Sequence, residues 1–335
     1  MTATADHTWQ ALWARARQSS SGTPLHLYAL LDAAQDKSLL ARLPGPAGRA
    51  AGLFGFARDS KEGAASPWLV RLGSDREEPA GAPKALLLYL LEQVHTVPCA
   101  TLLASSCDFD GTLAHLRRAA DVQLAGGKSM YLAFWDPAIL GTLLGQADAQ
   151  AGEEVEAVLD DRQRLDLLGP VQRWWFWDRA GQLHEHARQG GAQPAPVALP
   201  LQLRKSQEER LVEAAVPDLL VYYIRLNQPQ LRDKLPPLSL HWFVRQQMHF
   251  ARGYGLAGTR DLLNYVCVAL MAGARFDRTD AMRPLLARVR AGRLRWDEAM
   301  EQVDGALLES QSEAPRVLLD DRGRPVLPRN LPAVS

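Results

Sequence analysis

The sequence predicts an α/β or α+β N-terminal domain with a mixed sheet, followed by an all-α helical C-terminal lobe. Up to about residue 188, short apolar runs alternate with helical segments, as in a sheet packed against helices. A proline-containing segment follows, and beyond it apolar residues recur three to four positions apart, as in amphipathic helices. We therefore predict an α/β domain at residues 1–190, a Pro-rich linker at 191–203, a helical lobe at 204–310 and an extended or disordered tail at 311–335.

The N-terminal domain is predicted to build one sheet and to pack helices against it. Strand candidates lie at residues 26–31, 52–56, 68–72, 101–105, 129–135 and 173–177, and helices at 84–94, 111–119 and 137–145. Several of these strands show no polar alternation, which indicates a sheet that is covered on both faces. The strand that ends at Trp135 is followed by Asp136 and Pro137, where Asp can cap a helix and Pro suits its first turn.

The second lobe is predicted to contain helices at residues 208–226, 239–254, 259–272, 279–291 and 296–308. In the third of these, Leu262, Val266 and Leu270 recur along one side. Gly255 and Gly273 stand where helices should end, because glycine accepts the left-handed conformation found there. From residue 311 the periodicity is lost and prolines recur, which predicts the tail.

Composition excludes several classes of function. The 38 Lys and Arg residues balance 38 Asp and Glu residues, so the formal net charge is +0 and no broad footprint for nucleic acid is expected. The three cysteines lie far apart and lack metal-ligand spacing, which fits reduced thiols in a cytosolic protein. No apolar run is long enough to span a bilayer, and the N-terminus lacks the apolar core of a signal peptide. We therefore expect a cytoplasmic protein that binds neither membrane nor nucleic acid.

Several segments occur in an order that resembles a known family. Residues 116–178 run from a helix end through a short strand, a Gly-Gly turn, an apolar strand and an Asp-Pro helix start to an aromatic strand. Other segments that share the resemblance are LYALLDAA at 27–34, SPWLV at 66–70, HLR at 115–117, LGP at 168–170, ARGYGL at 251–256 and GARFD at 273–277. Over most of its length the chain resembles the effector chaperones, or adaptors, of bacterial type VI secretion systems.

The resemblance implies a non-enzymatic role. Such chaperones bind a specific effector protein in the producing cell and help to load it onto the VgrG-type spike protein. The expected partners are therefore an effector and a spike protein, with no cofactor, no metal and no catalytic residue. The sequence itself contains neither a Gly-x-Ser-x-Gly nor a His-Glu-x-x-His motif.

An alternative function follows from the segment CDFDGT at residues 107–112, which resembles the first motif of the haloacid-dehalogenase phosphatases. In that family the first Asp is the nucleophile and the second is the general acid and base, usually with magnesium, so Asp108 and Asp110 would take these roles. Asp160 and Asp161 could then supply the metal-binding pair. The opposing interpretation is that Asp108 caps the helix that follows. We favour the cap, because about a hundred residues precede a motif that normally opens its domain.

Two further motifs have simpler structural explanations. The segment GGKS at residues 126–129 ends like a phosphate-binding loop, but a strand rather than a helix follows, so we predict a hairpin turn. His184 and His186 lie on one face of a predicted strand without an evident third metal ligand, so we predict a solvated histidine pair. Asp32 and Asp136 stand at strand ends, where catalytic acids occur, but both also suit helix capping.

The candidate partner-binding residues are Tyr131, Trp174, Trp175 and Trp177. Aromatic residues are favoured at interface centres, so these side chains could support or line an apolar patch with a polar rim. The alternative is a buried strand with Trp175 and Trp177 on one face and Trp174 on the other. The neutral net charge predicts that partner binding depends only modestly on salt.

Overall fold

The computed structural model describes residues 3–19, 24–45, 49–93, 98–146, 156–188, 197–303, 305, 313–326 and 331. The chain divides into two compact units, Met1–Leu211 and Val212–Ser335. None of the helices in the described residues has the length and apolarity needed to cross a membrane.

The first unit mixes strands and helices. Its helices are α1 Ala3–Ser19, α2 Leu39–Arg42, α3 Lys61–Ala64, α4 Gly81–Gln93, α5 Phe109–Ala120, α6 Pro137–Leu144 and α7 Asp161–Leu168. Its strands are β1 His26–Asp32, β2 Ala50–Gly52, β3 Pro67–Ser74, β4 Ala100–Ser105, β5 Asp121–Gln123, β6 Ser129–Tyr131, β7 Val171–Trp177, β8 Leu183–Ala187 and β9 Leu201–Gln202. The predicted mixture of strands and helices is confirmed.

The strands form two sheets. The larger has six strands in the order β2-β3-β1-β4-β7-β8, and every neighbouring pair is antiparallel. The smaller has the order β6-β5-β9, in which β5 and β6 are antiparallel and β5 and β9 are parallel. Of the two predicted classes, α+β therefore describes this unit, and the predicted mixture of strand directions occurs only in the small sheet.

The six-stranded sheet is buried on both of its faces. One face packs against α1 and α4 in a core that includes Leu31, Trp175 and Trp177. The other face packs against α5 and α6 in a core that includes Leu30 and Trp174. Because neighbouring residues of a strand point to opposite faces, a strand covered on both sides has no polar alternation. The sequence pattern that predicted this arrangement is thus explained.

Two predicted strands are shorter than expected. The strand predicted at residues 52–56 ends at Gly52, and Leu53 and Phe54 form a turn that continues through Gly55 at φ +73°. The strand predicted at 129–135 ends at Tyr131. The next residues form a tight turn, in which the N–H of Phe134 donates to the carbonyl of Leu132 at 2.8 Å. Leu132, Phe134 and Trp135 of the second run are buried by packing rather than by strand pairing, whereas Phe56 of the first run is exposed. Periodicity alone cannot separate these cases from a strand.

The second unit is helical, as predicted. Helix α8 Lys205–Asn227 begins in the first unit, and α9 Pro229–Arg232, α10 Pro237–Gly253, α11 Thr259–Ala272, a 3₁₀ turn Phe276–Arg278, α12 Arg283–Arg290 and α13 Trp296–Glu301 follow. Residues 304 and 306–308 of the last predicted helix lie outside the described residues. Gly255 and Gly273 do adopt positive φ angles, of 83° and 101°, after the helices that they were predicted to end.

A hydrogen-bond network around the buried carboxylate of Asp277 joins two segments of the second unit. The guanidinium of Arg275 donates two hydrogen bonds to the carboxylate of Asp277, at 2.9 and 2.7 Å, and the hydroxyl of Tyr254 donates a third at 3.0 Å. Burial and the neighbouring Asp277 carboxylate raise the pKa of Tyr254 well above its ordinary value. The segments 251–256 and 273–277, which carried part of the family resemblance, therefore meet in one structural network.

The linker and tail differ from the predicted layout. Residues 191–196 of the predicted linker lie outside the described residues, whereas Leu201–Gln202 forms β9 of the small sheet. The boundary between the units falls after Leu211, within α8. In the tail, the Gln246 side-chain amide donates to the carbonyls of Leu318 and Val326 at 2.8 and 2.9 Å. The described tail residues turn back at Asp320–Arg324, where the N–H of Asp320 donates to the carbonyl of Arg324 at 2.8 Å, and Gln246 holds them against α10.

The burial of Trp174 generates a stability prediction. Trp174→Ala should lower the free energy of unfolding by about 3–5 kcal/mol, because it leaves a cavity in the core. It also removes the indole Nε1 that donates to the buried Thr101 hydroxyl at 2.8 Å. The control Tyr131→Ala should change this energy by less than about 0.5 kcal/mol, since that ring is exposed. Urea denaturation of the full chain followed by circular dichroism measures both, and equal stabilities would contradict the assigned packing.

Candidate functional site

The predicted partner-binding residues do not lie together. Trp174, Trp175 and Trp177 are buried in β7, with Trp174 on one face of the sheet and the other two on the opposite face. The buried-strand alternative is therefore correct for these three residues, and the expectation that they line a surface is wrong. Tyr131 differs from them, since 64% of it is exposed on β6.

The polar atoms of two of these indoles have partners within the unit. Trp174 Nε1 donates to Thr101 Oγ1 on β4 at 2.8 Å, and Trp175 Nε1 donates to Glu185 Oε2 on β8 at 3.0 Å. Glu185 also pairs with Arg15 at 2.9 Å and with Arg173. Because large aromatic side chains stabilise mainly by burial, these residues support the sheet.

Tyr131 belongs to a cluster of aromatic side chains at the surface. Its ring centroid lies 4.6 Å from that of Phe54, which lies 5.6 Å from the ring of Trp135 in an edge-on arrangement. The neighbouring residues Phe56 and Met130 are also exposed, but Met130 lies on the opposite face of β6 from Tyr131. We call the contacting pair Phe54 and Tyr131 the Tyr131 patch.

The turn that carries Phe54 is held in place by α5. Arg117 donates from Nε to the carbonyl of Leu53 at 2.6 Å and from Nη2 to the carbonyl of Gly52 at 3.1 Å. Arg117 belongs to the HLR segment that carried part of the resemblance. The sequence pattern does not single out Phe54, because its apolar run resembles a strand; the signal that indicates a turn is Gly55, which has a φ of +73°.

Tyr131 is presented by the β5–β6 hairpin. The N–H of Gly127 donates to the carbonyl of Leu124 at 2.8 Å, and Gly127 has a φ of +75°, which confirms the predicted Gly-Gly turn. Within the described part of the chain, β6 pairs only with β5 and forms one edge of the small sheet. The carbonyl of Lys128 and the N–H of Leu132 form hydrogen bonds on the β5 side of the strand. Because the backbone groups of successive strand residues alternate between the two sides, those of Ser129 and Tyr131 point away from β5, to the open edge.

The acidic residues of the alternative phosphatase function have structural roles. The carboxylate of Asp108 accepts from the N–H of Gly111 at 2.9 Å and begins α5, which confirms the predicted cap. Asp110 is exposed and lies 3.4 Å from Arg49. Asp160 caps α7 through Gln163, and a hydrogen bond from Arg204 lowers the pKa of the Asp160 carboxyl. The carboxylates of Asp108 and Asp160 both accept hydrogen bonds from backbone N–H groups, whereas a metal site would require them to converge with a second acidic group.

A second pair of carboxylates meets through one side-chain amide. Gln35 Nε2 donates to Asp32 Oδ2 at 3.3 Å and to Asp136 Oδ2 at 3.0 Å. Asp136 also accepts from the N–H of Ala138 at 2.8 Å, which confirms its predicted helix cap. Asp32 instead closes a turn by accepting from the N–H of Ala34 at 3.0 Å, so its predicted helix cap is wrong. Burial raises the pKa of Asp32 above its ordinary value, against the opposing effect of these hydrogen bonds.

The predicted solvated histidine pair is wrong for its first member. His184 is buried, its Nε2 lies 3.0 Å from Asp178 Oδ2, and its ring stacks on Phe176 at a centroid distance of 5.2 Å. His186 is half-buried, and burial lowers its pKa. Across the described residues, no group of three or more His, Cys, Asp or Glu side chains could hold a metal ion.

Substitutions of Asp108 distinguish its role as a helix cap from the alternative role as a phosphatase nucleophile. Asp108→Ala should lower the free energy of unfolding by about 1 kcal/mol, whereas Asp108→Asn should change it by only a few tenths, since Asn caps helices as well as Asp does. Chemical denaturation measures this difference. We also expect no magnesium-dependent hydrolysis of a generic phosphate ester. Turnover by the unsubstituted chain that Asp108→Asn abolishes would establish the phosphatase instead.

Comparison with known proteins gives one match. The chain matches no curated protein and no solved structure. Residues 27–153 match the model of a family described as a domain of unknown function, DUF4123. The matched segment includes the whole Tyr131 patch, together with Asp32, Asp108 and Asp136. The chain thus contains a DUF4123 domain at residues 27–153, for which the family description names no function.

Proposed function

We propose that this protein is a non-enzymatic chaperone or adaptor that binds a cognate type VI secretion effector and assists its loading onto a VgrG-type spike protein. It would act in the cytoplasm of the producing cell. The motif order of the chain supports this proposal, since it resembles that of such adaptors over most of the sequence. The partners that the resemblance implies are proteins, so the chain needs a recognition surface.

The observation that carries the proposal is the Tyr131 patch. Interface centres are enriched in tyrosine and phenylalanine, and the patch consists of one residue of each type. Tyr131 is 64% exposed although its ring already contacts Phe54, so a partner could bury it further without moving the core. The exposure of this aromatic ring supports the proposed apolar contact surface.

The roles of the acidic side chains also favour binding over catalysis. Asp108, Asp136 and Asp160 cap helices, and Asp277 is held in an ion pair with Arg275. A catalytic carboxylate must be positioned toward a substrate, whereas these groups are directed at backbone N–H groups or at a guanidinium. The proposal therefore places function on a surface.

The open edge of β6 suggests how an effector segment would dock. An extended peptide can add a strand to an exposed sheet edge, where backbone hydrogen bonds supply affinity and side-chain contacts supply specificity. Ser129 and Tyr131 direct backbone groups to that edge, and the rings of Phe54 and Tyr131 lie beside it. A partner segment in this position would form hydrogen bonds with the unpaired backbone groups of the β6 edge and would also cover the apolar rings.

Tyr131→Ala should weaken effector binding about thirty-fold, since an aromatic residue at an interface centre contributes about 2 kcal/mol or more. The matched control is Met271→Ala, which removes an exposed apolar side chain from α11, far from the patch in sequence. The immobilised chain first captures its partner from a lysate of the native host, and mass spectrometry identifies it. Dissociation constants of both variants are then measured with the purified partner.

The salt dependence of the same complex provides a second readout. Because the proposed contact is apolar and the net charge is +0, the dissociation constant should change by less than about tenfold between roughly 50 and 500 mM salt. Capture of neither an effector nor a spike component at any salt concentration would contradict the proposed function. Equal affinities of Tyr131→Ala and Met271→Ala would contradict the assigned surface.

A further inference from the structure

Helix α8 carries an apolar stripe on its exposed side. Its members are spaced alternately three and four residues apart, and they are Val212, Ala215, Leu219, Tyr222 and Leu226. All five are exposed, and the four larger side chains are 39–67% exposed. This spacing is the a and d pattern of a heptad repeat, in which every member faces one side of the helix. We call these five residues the α8 stripe.

The core of the second unit does not require this stripe. The opposite side of α8 contributes Leu220, Val221 and Ile224 to that core. Pro217 is also on the buried side, so its ring does not interrupt the stripe. A surface helix of a soluble protein normally has one apolar face, which packs on its own core, and a polar face toward solvent. The second apolar face of α8 is therefore suited to contact another helix.

The charges beside the stripe are complementary to each other. Asp218 and Arg225 each directly precede an a position, which places both at g positions of the heptad pattern. The Asp218 carboxylate is half-exposed and lies 3.3 Å from His241 Nδ1, and Arg225 is exposed. The stripe is thus bordered on one side by one negative and one positive group, seven residues apart.

From this arrangement we propose that α8 of one copy pairs antiparallel with α8 of a second copy of this chain. In an antiparallel pair, a positions face d positions and g positions face g positions. Leu219 would then face Tyr222 of the second copy, and Ala215 would face Leu226 of the second copy. Asp218 would lie beside Arg225 of the second copy, and the two-fold symmetry would form the same pair again.

The alternative parallel pairing fits less well. It would place Ala215 against itself and leave a void, and it would put Asp218 beside Tyr223 at an e position, which carries no positive charge. The antiparallel pair alternates small with large side chains and forms both charge pairs. The formal net charge of +0 also means that two copies do not repel each other overall.

The length of the α8 stripe determines the affinity expected for the dimer. From Val212 to Leu226 it spans about 21 Å at 1.5 Å per residue. A single helix pair of this length buries less than the roughly 1,600 Å² of a standard interface. We therefore expect a dimer with a dissociation constant in about the micromolar range.

Sedimentation equilibrium of the full chain, up to about 200 μM, tests the proposal. Leu219→Glu should abolish dimerisation, whereas Met271→Glu, on an exposed apolar residue of α11, should not. Arg225→Asp should weaken dimerisation about tenfold, because it replaces two attractive pairs with two repulsive ones. Joining it to Asp218→Arg in one chain should restore the original affinity. Circular dichroism confirms that each variant is folded.

Mixing two charge variants provides the most specific test. A chain with Asp218→Arg and a chain with Arg225→Asp should each associate poorly alone and should form a heterodimer together, because their g positions then carry opposite charges. A chain that stays monomeric at every concentration would overturn the proposal. So would a dimer that Leu219→Glu leaves intact, or a stripe that binds only a helix of another protein. Since no effector is present, failure here leaves the proposed function untouched.

Discussion

The burial of the six-stranded sheet on both faces is the constraint from which the rest of the first unit follows. A strand covered on both sides has no room for unpaired polar groups, because a buried polar atom without a partner is costly. Trp174 and Trp175 meet this requirement by donating their indole N–H groups to Thr101 and Glu185. The candidate catalytic carboxylates instead lie at strand ends and helix starts. Surfaces outside the sheet are left for function.

The segments that resemble type VI adaptors prove to be structural contacts in several places. The Nε2 atom of His115 lies 2.8 Å from the carbonyl of Leu167, and its imidazole packs against Gly169 so closely that a Cβ there would lie 2.1 Å from the ring. Gly169 also has a φ of +51°, so a side chain at this position would clash and strain the backbone. In the second unit, Arg275 and Tyr254 converge on one carboxylate. These motifs maintain the fold, while the exposed Tyr131 patch carries the proposed recognition.

Much of this architecture could be predicted from sequence, because apolar spacing and capping residues report local structure directly. The helix that Asp136 and Pro137 begin, and the all-α second unit, are of this kind. The limits of the apolar runs could not be predicted, since residues buried by packing and residues buried by strand pairing have the same composition. For that reason the run that contains Phe54 predicts a strand, although Leu53 and Phe54 form a turn. The exposure of Tyr131 and the burial of three tryptophans depend on tertiary contacts that spacing does not encode.

The central claim is that the Tyr131 patch and the β6 edge receive an effector segment. Hydrogen–deuterium exchange of the chain, free and bound to its captured effector, tests this most directly. Added strand pairing should slow exchange at the amides of Ser129 and Tyr131, which face the open edge, and cover of the Phe54 turn should slow exchange at residues 53–56. The claim would be contradicted if exchange at Ser129, Tyr131 and residues 53–56 stayed unchanged in the saturated complex while other residues became protected.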